Sequence, residues 1–412
     1  MPKCTIRSLQ DFSIWYTPGV AEACLQIEKD KEKAYELTSK WNYVAVVSDG
    51  TRVLGLGDIG GQAGMPVMEG KALIFKYLGG VDAFPICLST KDPDEIIQAV
   101  KWIEPSFGGI NLEDFSKPKC FYILEKLRAE MPIPVWHDDQ QGTAAVILAG
   151  TINALKFVGK KMSEAKFTLV GTGSANTRTY YVLKAAGVNP KNIILVDSKG
   201  TLGTYRDDIK DTYKWPIAEE TNPDNVEGGI KEAAEGSDIM IAASKPGPGT
   251  IKKGDVEVMA SDSIVFACAN PVPEIWPWEA EEAGAKVIAT GRSDFPNQVN
   301  NSLVFPAIFR GALDVRAKTI TDEMCIASAT ALAKYAEDKG LTKDYIIPAM
   351  SEWEIYPLQA VETGLKAIEQ GIARKKLSKA EIYERAESII KRTQDVVKAL
   401  MQQGFIDAPP PE

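Results

Sequence analysis

The chain has 412 residues and a formal net charge of −9, with 45% hydrophobic and 25% charged residues. This balance is typical of a globular protein, and the length predicts two domains. The acidic excess argues against nucleic-acid partners and anionic membrane surfaces, since both favour basic patches. Without a signal pattern, or an apolar run of the ~18 residues that span a bilayer, we expect a cytoplasmic protein.

Histidine and cysteine further restrict the possible chemistry. The six cysteines are scattered singly and form no CxxC pair, which argues against a zinc ribbon or a thioredoxin-like site. His137 is the only histidine. Unless His137 itself serves, acid–base chemistry must therefore come from Tyr, Lys, Asp or Glu side chains or from a bound metal.

The N-terminal part of the chain alternates between predicted helices and strands. An amphipathic helix over 21–37 follows the turn Thr17-Pro18-Gly19, and a buried strand over 44–47 ends in a second turn. A glycine-rich stretch then leads to a helix expected to begin near Met68. The other expected elements are strands at 81–87, 109–112 and 134–136 and helices at 92–102, 118–129 and 143–158. This alternation indicates an α/β layer with a largely parallel sheet.

A second α/β unit begins at Lys166. Its first strand (167–170) runs through a glycine turn into a helix predicted over 177–186, and the next strand (192–196) ends at Asp197. Further strands are expected at 239–243, 263–267 and 285–289. The tail from Ile320 is predicted to be mostly helical and to close with the proline-rich residues 408–411.

The glycine turn of this second unit is typical of a dinucleotide site. Strand, turn, helix and a terminal acid occur in the order of a Rossmann-type unit, where Gly171 allows the tight turn and Gly173 lets the backbone approach a pyrophosphate. A βαβ unit without a ligand is the alternative. Asn176 replaces the third glycine, so the helix is expected slightly further from the strand. The predicted cofactor contacts of the turn are Gly171, Gly173, Ser174, Ala175 and Asn176.

Asp197 bears on the type of cofactor. Its carboxylate is placed to accept hydrogen bonds from the adenosine ribose and would repel a 2′-phosphate, which favours NAD. Lys199 and Arg206 follow closely and could offset that charge. NAD and NADP therefore both stay open, with NAD preferred.

Two pairs of acidic residues stand out in the N-terminal unit. Glu113-Asp114 and Asp138-Asp139 each follow a short strand and precede a helix. Ligands bind at the carboxyl ends of strands in open α/β sheets, so both pairs are expected in one crevice. Converging carboxylates would suit Mg²⁺ or Mn²⁺. Helix capping is as good an explanation for either pair alone, but two pairs in similar positions favour a metal.

Three further side chains are candidates whose local sequence fits an ordinary role equally well. Lys71, expected near a helix start and partly desolvated, would have a lowered pKa and could act as a base, although surface lysines are commoner. Tyr16 precedes a Pro-Gly turn, where an aromatic residue usually packs. Arg52 follows the turn at Gly50 and could clamp a carboxylate or form a surface ion pair.

Taken together, these segments resemble the malic enzymes, in particular the short prokaryotic-type form. The motifs occur in family order over roughly residues 9–320. They are YTPGVA (16–21), SDGTRVLGLGD (48–58), GMPVMEGK (64–71), NLEDF (111–115), HDDQQGTA (137–144), CANPVPE (268–274), GRSDFPN (291–297) and NNSLVFP (300–306). Several motifs in order are much more specific than one glycine turn.

The resemblance implies an architecture and a role for each matching residue. The α/β fold would comprise an N-terminal substrate and metal domain (1–145), a Rossmann-type NAD(P) domain (146–320) and a helical C-terminal segment (321–412) packed on both. The implied catalytic residues are Tyr16, Lys71 and Asp138, the last of which tunes the lysine. The implied metal ligands are Glu113, Asp114 and Asp139. The implied substrate contacts are Arg52, Asn270 and Asn301, with Asn270 also near the cofactor.

The implied reaction is the oxidative decarboxylation of malate to pyruvate with NAD or NADP and Mg²⁺ or Mn²⁺, in a homodimer with active sites near the interface. The alternatives are malolactic or oxaloacetate decarboxylase chemistry with retained NAD. From a different class, the chain could be a catalytically silent nucleotide-binding regulatory module. The set Tyr16, Lys71, Glu113, Asp114 and Asp139 argues against the silent module, which has no chemical need for all five.

Overall fold

The structure is a computed structural model that describes residues 4–407. The predicted proline-rich end at 408–411 lies outside the described residues. The described strands form two sheets, and the helices lie around and between them. No helix of the described part of the chain is long and apolar enough to cross a membrane.

The first sheet has the strand order β2-β1-β3-β4 and is entirely parallel. Its strands are β1 (Tyr43–Ser48), β2 (Asp82–Cys87), β3 (Gly109–Leu112) and β4 (Val135–His137). Its helices are α1 (Phe12–Trp15), α2 (Val20–Lys29), α3 (Ala34–Leu37), α4 (Gly60–Gly79), α5 (Pro93–Ile103), α6 (Lys119–Glu130) and α7 (Thr143–Phe157). The parallel alternation expected from the sequence is therefore confirmed.

Two helix predictions in this part are wrong. The helix expected over 21–37 ends at Lys29, because the Asp30 carboxylate accepts a hydrogen bond from the Glu32 amide and starts a separate 3-10 turn. The helix expected to begin near Met68 begins at Gly60, since the glycine-rich stretch itself is partly helical. Lys71 consequently lies in the middle of α4, far from its N-terminal dipole.

The second sheet has the order β10-β9-β8-β5-β6-β7, parallel except for β7. Its strands are β5 (Phe167–Val170), β6 (Ile193–Asp197), β7 (Gly200–Thr201), β8 (Ile239–Ala242), β9 (Ile264–Ala267) and β10 (Val287–Thr290). Its helices are α8 (Ser174–Ala185), α9 (Trp215–Glu220), α10 (Ile230–Ala234), α11 (Lys253–Val256) and α12 (Pro277–Glu282). The strand order, with β5 central, is that of a Rossmann-type domain.

The C-terminal part is helical, as predicted, and consists of α13 (Phe305–Asp314), α14 (Asp322–Lys339), α15 (Ile355–Glu369) and α16 (Lys379–Gln402). Every residue of α13 is buried. One hydrophobic core includes Phe75 of α4, Trp136 of β4, Phe266 of β9 and Phe309 of α13, so it joins both sheets to the C-terminal helices. The predicted domain boundaries near 145 and 320 stay predictions.

Candidate active site

A cleft of about 910 Å³ lies where carboxyl ends of strands from both sheets face each other. Most of the candidates taken from the sequence line it. They are Arg52, Lys71, Glu113, Asp114, Asp139, Gly171, Gly173, Ser174, Ala175, Asp197, Asn270 and Asn301. Three candidates, Tyr16, Asp138 and Asn176, do not line it.

The acidic pairs meet because β3 and β4 are neighbours whose carboxyl ends lie at one edge of the sheet. One oxygen each of Glu113, Asp114 and Asp139 lies within 4.8 Å of the others. The Asp114 amide donates to Asp139 Oδ2 at 2.9 Å, while Asp114 Oδ2 is buried without a hydrogen-bond partner. Burial and the neighbouring Asp139 carboxylate raise the pKa of Asp114 to about 8. Such uncompensated carboxylates fit a divalent cation.

Lys71 connects this acidic group to the rest of the cleft. Its side chain is 8% exposed, and its ammonium forms ion pairs with Asp138 and, at 3.1 Å, with Glu113. The ammonium also lies 4.3 Å from the ring centroid of Phe305. Burial favours the neutral amine, but Asp138 and Glu113 outweigh it and raise the pKa of Lys71. The prediction that the pKa of Lys71 is lowered is therefore wrong.

Asp138 lies behind Lys71 and is fully buried. Its Oδ1 accepts a hydrogen bond from the Trp136 indole at 3.0 Å, which leaves Oδ2 for the lysine. Gly142 makes room for this carboxylate, since a Cβ there would lie 2.0 Å from Asp138 Oδ1. Asp138 is thus placed to orient Lys71 and does not face the cleft.

His137 is fully buried, and burial lowers its pKa to about 3. The ring is therefore neutral near neutral pH, and neither ring nitrogen has a hydrogen-bond partner among the described residues. The only histidine of the chain is consequently absent from the cleft and unsuited to proton transfer there.

The glycine turn between β5 and α8 has the geometry that a pyrophosphate needs. Gly171 has φ +98°, and a Cβ there would lie 2.6 Å from the Ala243 carbonyl oxygen. A Cβ at Gly173 would meet no protein atom within 4 Å, so the space that this glycine leaves belongs to the cleft. The N-terminus of α8 begins at Ser174, where free amides favour an anion.

Asn176 has a structural position. Its side chain is fully buried, and its Nδ2 donates to the carbonyl oxygens of Val170 at 2.8 Å and Ile241 at 3.1 Å. These bonds tie the first turn of α8 directly to β5 and β8. Asn176 thus replaces the close packing of a third glycine with hydrogen bonds, and it does not reach the cleft.

Asp197 at the end of β6 is surrounded by cations. It accepts hydrogen bonds from Arg206, at 3.2 and 3.3 Å, and from Lys214. Burial disfavours its ionisation, but these two partners lower the pKa of Asp197 below its usual value. Lys214 was missed in the sequence because it lies 17 positions further along the chain, in a loop without a recognisable motif.

Tyr16 lies outside the cleft with 70% of its surface exposed. Helices α1 and α2 on either side of it contain no buried residue. The large apolar side chains that this N-terminal segment (residues 6–29) exposes are Ile6, Leu9, Phe12, Ile14, Trp15, Tyr16, Val20 and Leu25. Exposed apolar side chains concentrated in one segment are typical of a protein–protein contact.

The family of the chain follows from comparison with known proteins. Residues 2–128 match the model of the malic enzyme N-terminal domain, and residues 140–363 match that of the malic enzyme NAD-binding domain. The two matches cover the whole second sheet and strands β1 to β3 of the first, while β4 and Asp139 lie in the short stretch between them. The chain belongs to the malic enzyme family.

Individual relatives agree with this assignment. The chain is 52% identical to an NAD-dependent malic enzyme of Geobacillus stearothermophilus, covering 90% of this chain and 77% of that protein. It is 48% identical to a bifunctional malic/malolactic enzyme of Bacillus subtilis, covering 94% and 93%. The crystal structure of the Entamoeba histolytica malic enzyme is similar with a TM-score of 0.97 at 48% identity, covering 100% of this chain and 86% of that one.

Substitution of the two glycines of the turn should have different effects on dinucleotide binding and on stability. Gly173→Ala should leave the thermal unfolding midpoint unchanged, because the new Cβ meets no protein atom, yet weaken dinucleotide binding at least tenfold. Gly171→Ala should destabilise the fold by about 1–3 kcal/mol, because it strains a positive φ. Differential scanning calorimetry and a dinucleotide titration measure the two effects. Unchanged dinucleotide affinity in Gly173→Ala would contradict the assignment.

Proposed function

We propose that this chain catalyses the oxidative decarboxylation of (S)-malate to pyruvate and CO₂, with reduction of NAD⁺ or NADP⁺ and a requirement for Mg²⁺ or Mn²⁺. The observation that carries the proposal is the position of Lys71. It lies between three converging carboxylates and a cleft that the glycine turn also lines. A hydroxy acid bound there would have a proton acceptor and the nicotinamide within reach of the same carbon.

The residues present fit both groups that the reaction needs. Three carboxylates within 4.8 Å and an unpartnered buried oxygen on Asp114 suit a hard cation, and the open space at Gly173 suits a pyrophosphate. When bound, the nicotinamide supplies a hydride acceptor for C2, and the cation supplies Lewis-acid stabilisation of the negative charge at the C2 oxygen.

Side chains in and next to the cleft bind the substrate and move the protons. Arg52, Asn270 and Asn301 bind and orient the two carboxylates of malate. Lys71 takes the proton of the C2 hydroxyl, and Asp138 holds the lysine in position. Because Glu113 helps to raise the pKa of Lys71, engagement of Glu113 by a cation would lower that pKa towards the value that a base needs.

The second half of the reaction breaks the bond between C3 and C4. The electron pair of that bond stays on C3 as CO₂ leaves, and Tyr16 donates the proton that completes the methyl group of pyruvate. The phenol then recovers its proton from Lys71. The sum is malate plus NAD(P)⁺ giving pyruvate, CO₂ and NAD(P)H.

Replacement of Lys71 tests this assignment. Lys71→Ala should lower kcat for malate oxidation by roughly 10²–10⁴-fold, the usual contribution of a positioned acid–base group. The matched control is Lys76→Ala on the same helix, whose ion pair with Asp82 is partly exposed and does not line the cleft. Dinucleotide affinity should survive in both variants and reports that the fold is intact. A turnover near that of the wild type in Lys71→Ala would contradict the role.

A second activity is favoured by one relative, the Bacillus subtilis protein whose name includes malolactic activity. Decarboxylation of malate to lactate with a retained cofactor would use the same site. The two reactions differ in product, because oxidative decarboxylation accumulates NAD(P)H and pyruvate in equal amounts, whereas malolactic chemistry accumulates lactate and no net NAD(P)H.

Tyr16 can act only if it reaches the cleft from a second copy of the chain or by movement of its segment. We infer a homodimer in which the N-terminal segment of one copy covers the cleft of the other. The support is that this segment exposes eight large apolar side chains and that α1 and α2 contain no buried residue. Association would bury this surface and bring a phenol to a site that has none.

Mixed dimers test this arrangement. Tyr16→Phe and Lys71→Ala homodimers should each be nearly inactive, but dimers formed by co-expression of both should recover activity. Random pairing makes half of the dimers mixed, each with one intact site, so the expected recovery is about a quarter of the wild-type rate. If Tyr16 acts on its own chain, the mixture stays as inactive as either variant.

For the cofactor, we propose a preference for NAD⁺ with a capacity for NADP⁺. Asp197 would accept the ribose hydroxyls, and the similarity to an NAD-dependent enzyme at 52% identity supports this preference. Lys214, which pairs with Asp197 and lines the cleft, is placed to meet a 2′-phosphate, whereas Arg206 is also paired with Asp208.

Asp197→Ser should therefore shift the preference towards NADP⁺, because it removes a negative charge beside the ribose and frees Lys214 for a 2′-phosphate. The ratio of kcat/KM for NADP⁺ to that for NAD⁺ should rise roughly 10- to 100-fold, the worth of one charge-assisted hydrogen bond. Asp207→Ser, at an exposed acid of the following 3-10 turn, is the control. An unchanged ratio in Asp197→Ser would show that this carboxylate does not read the ribose.

A further inference from the structure

A second cavity, of about 800 Å³, lies at the C-terminal end of α13 and shares no lining residue with the cleft. Four parts of the chain enclose it: α3 with the 3-10 turn after it, the end of α13 with Arg316, the loop that leads into α16, and the first half of α16. Its basic residues are Arg316, Arg374, Lys375 and Arg385, against the acidic residues Glu36 and Asp314. None of them belongs to the active site described above.

Two aromatic rings hold the guanidinium groups in place. The guanidinium carbons of Arg316 and Arg374 lie 5.3 and 5.7 Å from the ring centroid of Tyr35. That of Arg385 lies 4.9 Å from the ring of Trp41. Cation–π contacts of this kind hold a guanidinium near the ring without using its N–H groups.

The acids of the cavity do not balance these cations. Asp314 is fully buried and already accepts two hydrogen bonds from Arg310, at 2.7 and 3.0 Å, besides one from Arg385. Glu36 is 62% exposed and 3.3 Å from Arg316. Lys375 has no ion pair among residues 4–407. The cavity is therefore locally positive, although the whole protein carries a net charge of −9.

Two of the arginines, Arg316 and Arg385, also have side-chain N–H groups that make no hydrogen bond within the described part of the chain. A guanidinium has five N–H groups. Within the described part of the chain, the side chain of Arg385 donates only through Nε to Asp314, and that of Arg316 only through Nη2 to Glu36. A structural role in holding the C-terminal helices together does not explain why these donors stay unused beside an open cavity.

We propose that this cavity binds a small polyanion, a metabolite whose phosphoryl or carboxylate oxygens accept the free N–H groups of Arg316 and Arg385, while Arg374, held by Tyr35 and Pro132, adds positive charge. Guanidinium groups bind both kinds of oxygen in a bidentate manner. A volume of about 800 Å³ exceeds what inorganic phosphate needs and suits a larger metabolite. Lys375 at the rim would add a further positive charge.

The position of α13 gives this site a consequence for catalysis. Asp314 at the end of α13 lines the cavity, while Phe305 at its start contacts Lys71. Phe305 and Phe309 also pack on Phe75 of α4, the helix that carries Lys71, with ring centroids 4.5 and 5.1 Å apart. A ligand that competes with Asp314 for Arg385 would therefore act, through α13, on the aromatic packing around Lys71. This consequence rests on the proposed function, whereas the binding itself does not.

Isothermal titration calorimetry tests the binding, with pyrophosphate and citrate as probes. The titrations use metal-free buffer with 0.15 M KCl and saturating NAD⁺, which occupies the pyrophosphate-binding turn of the cleft. We expect one site per chain for at least one probe. Arg316→Gln with Lys375→Gln should weaken binding at least tenfold, and Lys376→Gln, an exposed neighbour outside the cavity, should not. Tighter binding of pyrophosphate indicates a phosphorylated metabolite, and tighter binding of citrate indicates a polycarboxylate.

Failure of both probes to bind the wild type would overturn the proposal, as would binding that the double variant leaves unchanged. Lys375→Gln alone, at an exposed position, keeps the test valid if Arg316→Gln disturbs the fold. Initial rates of malate oxidation with and without the probe then test the link through α13. A change of KM in the wild type that is absent from the double variant supports the link. Binding without any change in rate would overturn it while leaving both the site and the proposed function intact.

Discussion

The contact on which the rest of the site depends is the buried ion pair of Lys71 with Asp138 and Glu113. Burial raises the pKa of each of the four carboxylates of residues 113, 114, 138 and 139, and the single lysine does not offset it. Buried like charges are costly unless something compensates them. The four carboxylates therefore favour binding of an additional positive charge. The same excess of negative charge lowers the stability of the empty site and gives the site its affinity for a cation.

Topology explains why this charge lies beside a dinucleotide turn. Each sheet is parallel at its centre, so each gathers its loops at the carboxyl edge, and the shared core turns the two edges towards each other. Glu113 and Asp139 then come from neighbouring strands of one sheet, and Gly171 and Asp197 from neighbouring strands of the other. Asn176 stabilises the carboxyl edge of the second sheet by hydrogen bonding to both β5 and β8.

Much of this could be predicted from the sequence, because strand positions follow from short apolar runs and the carboxyl-edge rule then places the acids that end those strands. The strand of residues 109–112, the parallel arrangement and the meeting of the two acidic pairs all follow in this way. The start of α4 and the pKa of Lys71 could not be predicted. Glycines usually end helices, and a lysine pKa depends on Asp138, which is 67 positions away. The exposure of Tyr16 was equally hidden, since a surface that a second copy would cover looks like an ordinary packed aromatic in one sequence.

Direct titration with Mn²⁺, followed by electron paramagnetic resonance of the free ion, tests the central claim that the acidic group is a cation site. The account predicts one tight site per chain and a loss of at least about 100-fold in affinity for Asp139→Asn, because one of three carboxylate ligands is removed. Asp94→Asn, at an acid of the surface helix α5, should bind like the wild type. Equal Mn²⁺ affinity in Asp139→Asn and the wild type would contradict the account.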